Sequence, residues 1–236
     1  MDEAPASFGE ITAIVLTFLP VSDTLAAVME HLEIELKFYL SDPDALRARL
    51  PGLGAVRTGR RIFETNVRYD SDDDRLKKHG CLLRLRKDRD TILTFKSPPK
   101  DPDPRFKVYR ELETRLDDFN TMDAILEALG FKRRQAYEKW RETWQLEGAD
   151  LCLDTMPFGS FLEIEGPPDT IPRIAGALGL SWHHRILGNY LGIFSVLRER
   201  EGLTFTDLTF ENFKSVDLSF DEYRRLFESG DPPGTD

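Results

Sequence analysis

The chain has 236 residues, of which 40% are hydrophobic and 31% are charged, and its formal net charge at pH 7 is -10. This composition predicts a globular protein with a highly charged surface or interior, and the negative charge argues against general binding to nucleic acid or anionic membranes. The sequence contains no apolar run long enough to span a bilayer, and the short run at residues 11–19 lacks the preceding basic region of a signal peptide.

The first 28 residues are predicted to form a leader, 1–28, that is not part of the folded domain. The lead is acidic, and the apolar segment that follows it fits either a strand or a helix packed outside the core. Met29 stands just before the first well-patterned strand, so a start codon assigned too early would produce such a leader. We therefore predict one main domain over 29–202 and a C-terminal extension over 203–236, disordered from Ser229 onward.

The first strongly patterned stretch covers residues 33–38. Successive side chains of a strand point to opposite faces. One face here is charged and the other is apolar: Glu33, Glu35 and Lys37 alternate with Ile34, Leu36 and Phe38. By itself this pattern is typical of a half-buried strand whose polar face lies in water. The same alternation recurs along the chain, which changes its interpretation.

Later elements follow from hydrophobic period, capping residues and breakers. Ser41-Asp42-Pro43 supplies a helix cap followed by proline in the first turn, and Gly130 ends a later helix. In order, the pattern predicts a helix over 43–50, one long strand or a bent pair over 54–70, strands over 81–86, 92–96 and 106–116, a helix over 118–129, strands over 131–146, 151–154 and 161–165, and helices over 170–178 and 189–199.

About eight strands with short connections indicate one antiparallel sheet with a few helices. The fold class is therefore α+β, mainly β, and the confinement of charge to one face favours closure into an eight-stranded antiparallel barrel. The helices need an apolar sheet surface to cover. If they pack on the outside of the barrel, the charged face lines its lumen.

The charged face carries both signs. Unpaired buried charges cost several kcal/mol each, so such a lumen must be wet or filled. Pairs of carboxylates two residues apart repel one another without a cation, which weakens the alternative of a salt-bridged open sheet in water. The lumen cations are Lys37, Arg84, Arg86, Lys96, Lys139 and Arg141, and the lumen anions are Glu33, Glu35, Glu111, Glu113, Asp154, Glu163 and Glu165.

Arg and Lys suit phosphate oxygens, whereas carboxylates suit Mg²⁺ or Mn²⁺. Residues 47–110 are rich in Arg and Lys although the chain is acidic overall, and a local cationic site of this kind fits a small polyanion. The pattern therefore predicts a small polyanionic ligand together with a divalent metal. Cys81 and Cys152 have neither metal-ligand nor disulfide spacing, which favours a reducing, cytoplasmic setting.

This ordered set of charged pairs resembles the CYTH family, also called the triphosphate tunnel metalloenzymes, over about residues 31–200. The similarity is greatest to the bacterial class IV adenylate cyclase-like branch, with thiamine triphosphatase and inorganic triphosphatases as further relatives. The resemblance implies a closed eight-stranded barrel with a tunnel, in which basic residues hold a triphosphate and acidic residues hold divalent metal. Arg60, within the predicted strand region that ends at Asp70, is a further candidate cation that the family pattern does not align.

The resemblance also implies roles for individual residues. Glu35 and Lys37 are the candidate catalytic residues, although the sequence does not identify the group that activates water. The implied phosphate-binding residues are Lys37, Arg84, Arg86, Lys96, Lys139 and Arg141. The implied metal ligands are Glu33, Glu35, Glu163 and Glu165, with Glu111, Glu113 and Asp154 as further acidic candidates.

Three functions remain open on the sequence alone. The favoured one is metal-dependent hydrolysis of tripolyphosphate, thiamine triphosphate or a nucleoside triphosphate. The second is conversion of ATP to cyclic AMP and pyrophosphate, which needs a purine pocket that we cannot identify. The third is non-catalytic binding of polyphosphate or nucleotide. We expect no nucleic-acid or membrane partner, and the oligomeric state stays open, with a homodimer among the options.

Overall fold

Eight antiparallel strands close into a barrel in the computed structural model, which describes residues 31–230. The strands in chain order are β1 (His31–Leu40), β2 (Val56–Arg57), β3 (Ile62–Asp70), β4 (Leu82–Lys87), β5 (Thr91–Ser97), β6 (Lys107–Leu116), β7 (Lys132–Leu146), β8 (Ala149–Met156), β9 (Gly159–Glu165) and β10 (Arg185–Ile186). The barrel order is β1-β6-β5-β4-β3-β7-β8-β9, and β9 pairs back onto β1. The short strand β2 pairs with β7, and the short strand β10 pairs with β1. The predicted fold class is confirmed.

Within residues 31–230, five α-helices accompany the barrel. They are α1 (Pro43–Arg49), α2 (Arg75–Lys78), α3 (Phe119–Ala128), α4 (Thr170–Ala177) and α5 (Tyr190–Arg200). As the sequence predicts, Asp42 caps α1 through a hydrogen bond that its carboxylate accepts from the Ala45 N–H at 2.9 Å. Caps of this type satisfy backbone N–H groups that have no partner in the first helical turn.

The predicted division between charged and apolar faces is confirmed on β1. Glu35 lines the cavity inside the barrel, whereas Leu36 is fully buried in a core cluster on the outer side. That cluster joins the apolar faces of β1, β8 and β9 to α1 and α4, for example through Leu46 and Ile174. A second cluster packs α3 against β3 and β4. Because the helices cover the apolar side, the charged side chains are left facing inward.

Two apolar residues depart from the expected cover. Leu112 and Trp140 lie on the apolar strand face that the helices are expected to cover, but their relative exposures are 48% and 37%. Trp140 instead packs beside Phe63, with ring centroids 5.0 Å apart. Their direction follows the strand alternation, but helical cover depends on where the helices pack, which the strand pattern does not determine.

Other differences concern boundaries. Residues 54–70 form the bent pair β2 and β3 rather than one long strand. The C-terminal extension contains two 3₁₀ turns, Phe220–Glu222 and Arg224–Leu226. No helix within residues 31–230 is long and apolar enough to cross a membrane.

The C-terminal extension packs against β7 and α5. Leu208 is fully buried and forms a bridge with Tyr137 of β7, and Phe213 joins the same apolar cluster as α5. Ser229, where the sequence suggested that disorder begins, donates its backbone N–H to the Arg185 carbonyl at 2.7 Å. The predicted leader and residues 231–236 lie outside the described residues.

Candidate active site

A cavity of about 1080 Å³ occupies the inside of the barrel. Of the thirteen charged residues predicted to face the lumen, all except Asp154 line it. In the part of the chain that the structure describes, the lining holds eleven Lys or Arg residues and seven Asp or Glu residues. The cavity is therefore cationic although the whole chain is acidic, and this charge distribution suits an anionic ligand.

One wall of the cavity carries Lys–Glu pairs. The Lys37 ammonium lies 2.6 Å from a Glu163 carboxylate oxygen and 3.8 Å from Glu35. Glu35 also accepts a hydrogen bond from Lys107, a residue that the sequence analysis did not select. Lys96 binds Glu33 and lies 3.1 Å from Glu111. Each of these carboxylates thus has a cationic partner from another strand of the barrel.

A second group, the Asp154 cluster, is built around a fully buried carboxylate. It consists of Asp154, Lys139, Arg141 and Tyr190. Asp154 is 1% exposed, and it accepts hydrogen bonds from Arg141 at 2.7 and 2.6 Å, from Lys139 at 3.0 Å and from the Tyr190 hydroxyl at 3.0 Å. With its oxygens taken by these donors, Asp154 is placed to orient two cations.

The Arg84–Arg86 pair on β4 is held more loosely. Arg84 donates to the Tyr137 hydroxyl at 3.3 Å and to Thr94 at 3.1 Å, while both guanidinium groups lie 4.0 Å from Glu113. Arg86 also lies 3.1 Å from Asp88. Within the described residues, the buried Nε atoms of both arginines lack a hydrogen-bond partner. Much of the hydrogen-bonding capacity of these two groups is therefore free for a ligand.

The pKa values of Glu35 and Glu163 reflect their ion pairs with lysine and arginine. Burial and Glu163 raise the pKa of Glu35, but the ammonium groups of Lys107, Lys37 and Lys96 outweigh them and lower it to about 2. Lys37 and Arg141 likewise overcome the effect of burial and hold the pKa of Glu163 well below its usual range. Both groups are carboxylates at neutral pH.

Glu165 shows the opposite behaviour. Burial, together with the charges of Glu33 and Glu35, raises its pKa to about 7. The pKa of Glu33 is also raised, by burial and then by Glu35. Glu165 and Glu35 are register partners on β9 and β1. Three carboxylates therefore crowd one region of the cavity, where the cations stabilise the charge of Glu35 but do not offset the effects of burial and repulsion on Glu33 and Glu165.

This crowding is what a divalent cation would relieve, because carboxylate oxygens suit Mg²⁺ or Mn²⁺. Among residues 31–230, no group of three or more His, Cys, Asp or Glu side chains already has a ligand-like arrangement. Lysine and arginine side chains instead hold several of the oxygens concerned, including those of Glu33 and Glu163. The donor chemistry fits a metal whose binding displaces some of these contacts.

The sequence analysis missed several members of the site. Lys107 lies on the same strand face as Glu111, and Glu64 lies 3.6 Å from Lys139, so strict alternation would have selected both. Tyr190 comes from α5, far along the chain, and had no strand pattern to reveal it. Arg60 precedes β3 and is exposed, whereas Arg68 on that strand lines the cavity.

A family model described as the CYTH domain matches residues 31–171. A protein of Methanocaldococcus jannaschii named "putative adenylate cyclase" is 27% identical over 136 residues, which cover 57% of this chain and 76% of that protein. The solved structure of a "putative adenylate cyclase" from Vibrio parahaemolyticus superposes with a TM-score of 0.61 at 22% identity, covering 70% of this chain and 99% of that one. A Hippeastrum structure, described as a "putative adenylyl cyclase" with a dominant triphosphatase activity, has a TM-score of 0.50 at 18% identity and covers 70% and 95% of the two chains.

Proposed function

The chain belongs to the CYTH domain family, and from this membership we propose that it is a divalent-metal-dependent enzyme that hydrolyses a compound carrying a linear triphosphate. The observation that carries the proposal is the convergence of six predicted phosphate-binding cations on one cavity that also holds a crowded group of carboxylates. The cations are Lys37, Arg84, Arg86, Lys96, Lys139 and Arg141.

The cations divide between two tasks. The Arg84–Arg86 pair offers guanidinium N–H groups that are weakly engaged, and such groups bind phosphate oxygens bidentately. Lys139 and Arg141 are oriented by Asp154 before any ligand binds. Catalysis of phosphoryl transfer is mostly positioning and charge stabilisation, so a prearranged set of cations is the main requirement.

Substrate binding would replace ion pairs between lysine and glutamate with ion pairs between lysine and phosphate. Lys37 and Lys96 now bind Glu163 and Glu33. When phosphate oxygens take over these ammonium groups, the carboxylates lose their partners and gain the capacity to hold a cation. This exchange links the affinities for triphosphate and for metal, since each ligand frees the partner groups of the other.

We assign the metal ligands to Glu33, Glu35, Glu163 and Glu165, and give Glu111 and Glu113 a supporting role nearby. When bound, a divalent cation supplies neutralisation of phosphate charge and polarisation of the attacked phosphorus. Mg²⁺ and Mn²⁺ both suit these donors. Asp154, the remaining acidic candidate, is better placed to orient Lys139 and Arg141 than to bind metal, because its oxygens already accept from these two cations and from Tyr190.

The chain's own groups then orient the reaction. Glu35, a carboxylate at neutral pH, would accept a hydrogen bond from the attacking water. Lys37 is 1% exposed, and its ammonium lies 4.3 Å from the centre of the Tyr190 ring, which fixes its direction. From that position it stabilises negative charge that develops on the phosphoryl oxygens during transfer.

Cyclisation of ATP is the second candidate. The relative from M. jannaschii bears an adenylate cyclase name, and a cavity of about 1080 Å³ has room for a nucleoside beside the triphosphate. Hydrolysis requires no purine pocket, and the Hippeastrum protein is described as mainly a triphosphatase. A purely non-catalytic binder is less favoured, because binding an anion does not need so many carboxylates.

One assay separates these functions. The purified chain is incubated with Mg²⁺ or Mn²⁺ and, separately, with tripolyphosphate, thiamine triphosphate and ATP, and the release of phosphate, pyrophosphate and cyclic AMP is measured. We expect metal-dependent release of phosphate. Cyclic AMP and pyrophosphate from ATP would establish the cyclase instead. Binding of tripolyphosphate with no product from any substrate would overturn both enzymatic functions.

A further inference from the structure

Arg68 is a cavity-lining cation to which the proposed triphosphate site gives no role. It lies on β3 and is partly buried. Within residues 31–230, no carboxylate lies within ion-pair distance of its guanidinium group, and it makes no hydrogen bond there. A partly buried arginine without such a partner is costly in a folded protein, so its presence calls for an explanation.

The position of Arg68 increases this cost. Arg68 on β3 is the register partner of Arg84 on β4, and both side chains line the cavity. Directly opposite residues in an antiparallel pair have Cβ atoms about 4.5–5.5 Å apart, and like charges in that arrangement repel. The partner of Arg68 on the other side is Gln135 of β7, which is uncharged. An anion between the two guanidinium groups would convert this repulsion into attraction.

Next to Arg68 on the inward face of β3 lies Asn66. It is fully buried, and in the described part of the chain neither atom of its side-chain amide has a hydrogen-bond partner. Its register partners are Arg86 and Tyr137. Asn66 does not itself line the cavity, so this unused hydrogen-bonding capacity borders the Arg84–Arg86 pair and Arg68 without facing a ligand directly.

Arg68 extends the row of cations in one direction. Lys139 is the partner of Glu64 on β3, and Arg68 lies four residues further along the same strand, about 13 Å away along its axis. Lys77 and Arg198 line the same cavity and make no ion pair with the described residues. The row of cations is therefore longer than the group assigned to the triphosphate.

We propose that Arg68, with Arg84, forms an additional subsite for a fourth phosphoryl group, so that the enzyme prefers linear chains of four or more phosphates to tripolyphosphate. This inference rests on the proposed triphosphatase function and names its preferred substrate class. Arg84 would contribute both to the triphosphate site and to the subsite for the fourth phosphate. The fourth phosphate can belong to an inorganic polyphosphate or to a nucleoside 5′-tetraphosphate, since its contact with the guanidinium group is the same.

The test compares kcat/KM for tripolyphosphate, linear tetrapolyphosphate, ATP and adenosine 5′-tetraphosphate in the parent, Arg68→Gln and Arg68→Lys. Arg105→Gln is the matched control, because Arg105 is exposed, pairs with Asp103 and lies outside the cavity lining. We expect the parent to prefer the four-phosphate substrates. Arg68→Gln should lower kcat/KM for these about ten- to a hundredfold, with little change for three-phosphate substrates, and Arg68→Lys should retain part of the preference.

The melting temperature without ligand provides an independent measurement. Because Arg68 repels Arg84, Arg68→Gln should melt at or above the temperature of the parent. If Arg68→Gln lowers kcat/KM for only one of the two four-phosphate substrates, tetrapolyphosphate or adenosine 5′-tetraphosphate, that result would support the subsite. It would also identify which of the two compounds supplies the fourth phosphate.

Three results would overturn the inference: no preference in the parent for four-phosphate substrates, an equal loss on three- and four-phosphate substrates in Arg68→Gln, or a clear fall in its melting temperature. A parent that neither hydrolyses tripolyphosphate nor is thermally stabilised by it would instead overturn the proposed function, and the subsite with it.

Discussion

The Asp154 cluster and the Arg84–Arg86 pair lie in the same tunnel and are built from the same kinds of residue, yet they are held in different ways. Lys139 and Arg141 share a nearly inaccessible carboxylate at hydrogen-bonding distance. Arg84 and Arg86 approach Glu113 only at 4.0 Å and keep buried Nε atoms without a hydrogen-bond partner among the described residues. The first group is prearranged by the protein, whereas the second retains capacity for a ligand.

The difference shows that a cation in the lumen can contribute both to the stability of the fold and to ligand binding. The closeness of its carboxylate partner in the protein determines which contribution is larger. A purely structural cation should be paired with a carboxylate in the protein alone, and a purely ligand-binding cation should not be. Arg141 hydrogen-bonds the fully buried Asp154, whereas Arg86 lies 3.1 Å from Asp88 and 4.0 Å from Glu113 and its Nε makes no hydrogen bond with the described residues, although each lies in an Arg/Lys-x-Arg sequence. Substitutions that separate stability from affinity can test this division.

The largest effect is expected for Asp154→Asn. It removes the negative charge from a fully buried site and leaves Lys139 and Arg141 without it. Breaking a buried pair by removing one partner typically costs about 3–5 kcal/mol. Urea denaturation of the parent and the variant measures this cost. The control Asp90→Asn removes an exposed carboxylate that lies 3.4 Å from Arg115, and it should cost less than about 1 kcal/mol. Equal effects of the two substitutions would refute the distinction.

Arg141→Gln should lower both stability and affinity. The substitution removes a partner of Asp154 and of Glu163, although Lys139 and Lys37 still neutralise these carboxylates in part. We therefore expect a loss of about 1–3 kcal/mol in the free energy of unfolding, together with weaker tripolyphosphate binding. This expectation differs from what the sequence pattern alone suggests, because the alternation treats Arg141 and Arg86 alike. Chemical denaturation and titration calorimetry on one preparation check both parts.

Arg86→Gln should change affinity with little change in stability. Its loss relieves repulsion within the Arg84–Arg86 pair, whereas each lost charge-assisted contact to phosphate is worth about 1.5–3 kcal/mol, or roughly ten- to a hundredfold in affinity. The variant should also lose most of the thermal stabilisation that tripolyphosphate gives the parent. A marked fall in melting temperature without ligand, with unchanged affinity, would assign Arg86 to the structure rather than to the site.

The sequence predicted the faces of the strands better than the partners across them. A period of two was enough to place Lys37 and Arg86 inside the barrel, because helices must cover the opposite apolar face. Pairing depends on register between strands that are distant in the chain. Arg141 lies opposite Asp154, whereas Arg84 lies opposite Thr94 and Arg68. No local pattern contains that information.

Contributions from outside the strands were also inaccessible. Tyr190 reaches the site from α5, and its place there depends on how the helix and the C-terminal extension pack. Lys107 was omitted for a different reason. It shares the inward face of β6 with Glu111 and Glu113, so the alternation includes it, but the predicted strand was interpreted through its paired carboxylates alone. The same omission applies to Arg68 on β3.

The smallest expected effect concerns Glu165→Gln, which should stabilise the protein at high pH, whereas Asp154→Asn and Arg141→Gln should destabilise it. Burial and the charges of Glu33 and Glu35 raise the pKa of Glu165 from 4.5 to about 7. A carboxyl whose pKa is higher in the folded protein favours folding while it is protonated. This contribution is complete below pH 4.5 and is lost as the pH rises through about 7. Without metal, Glu165→Gln should therefore be more stable than the parent at pH 8, by on the order of 1 kcal/mol after solvent screening, and nearly equal to it at pH 5.

Divalent metal should reverse the order of stability of Glu165→Gln and the parent at pH 8. Mg²⁺ or Mn²⁺ relieves the crowding of the three carboxylates in the parent, and the neutral amide of the variant is a poorer ligand. We expect the metal-induced rise in melting temperature at pH 8 to be smaller in Glu165→Gln than in the parent. Glu127→Gln, on the exposed side of α3, controls for the loss of one negative charge. If the two variants respond alike to pH and to metal, the carboxylates do not form one metal site, and the ligand capacity of the tunnel is confined to its cations.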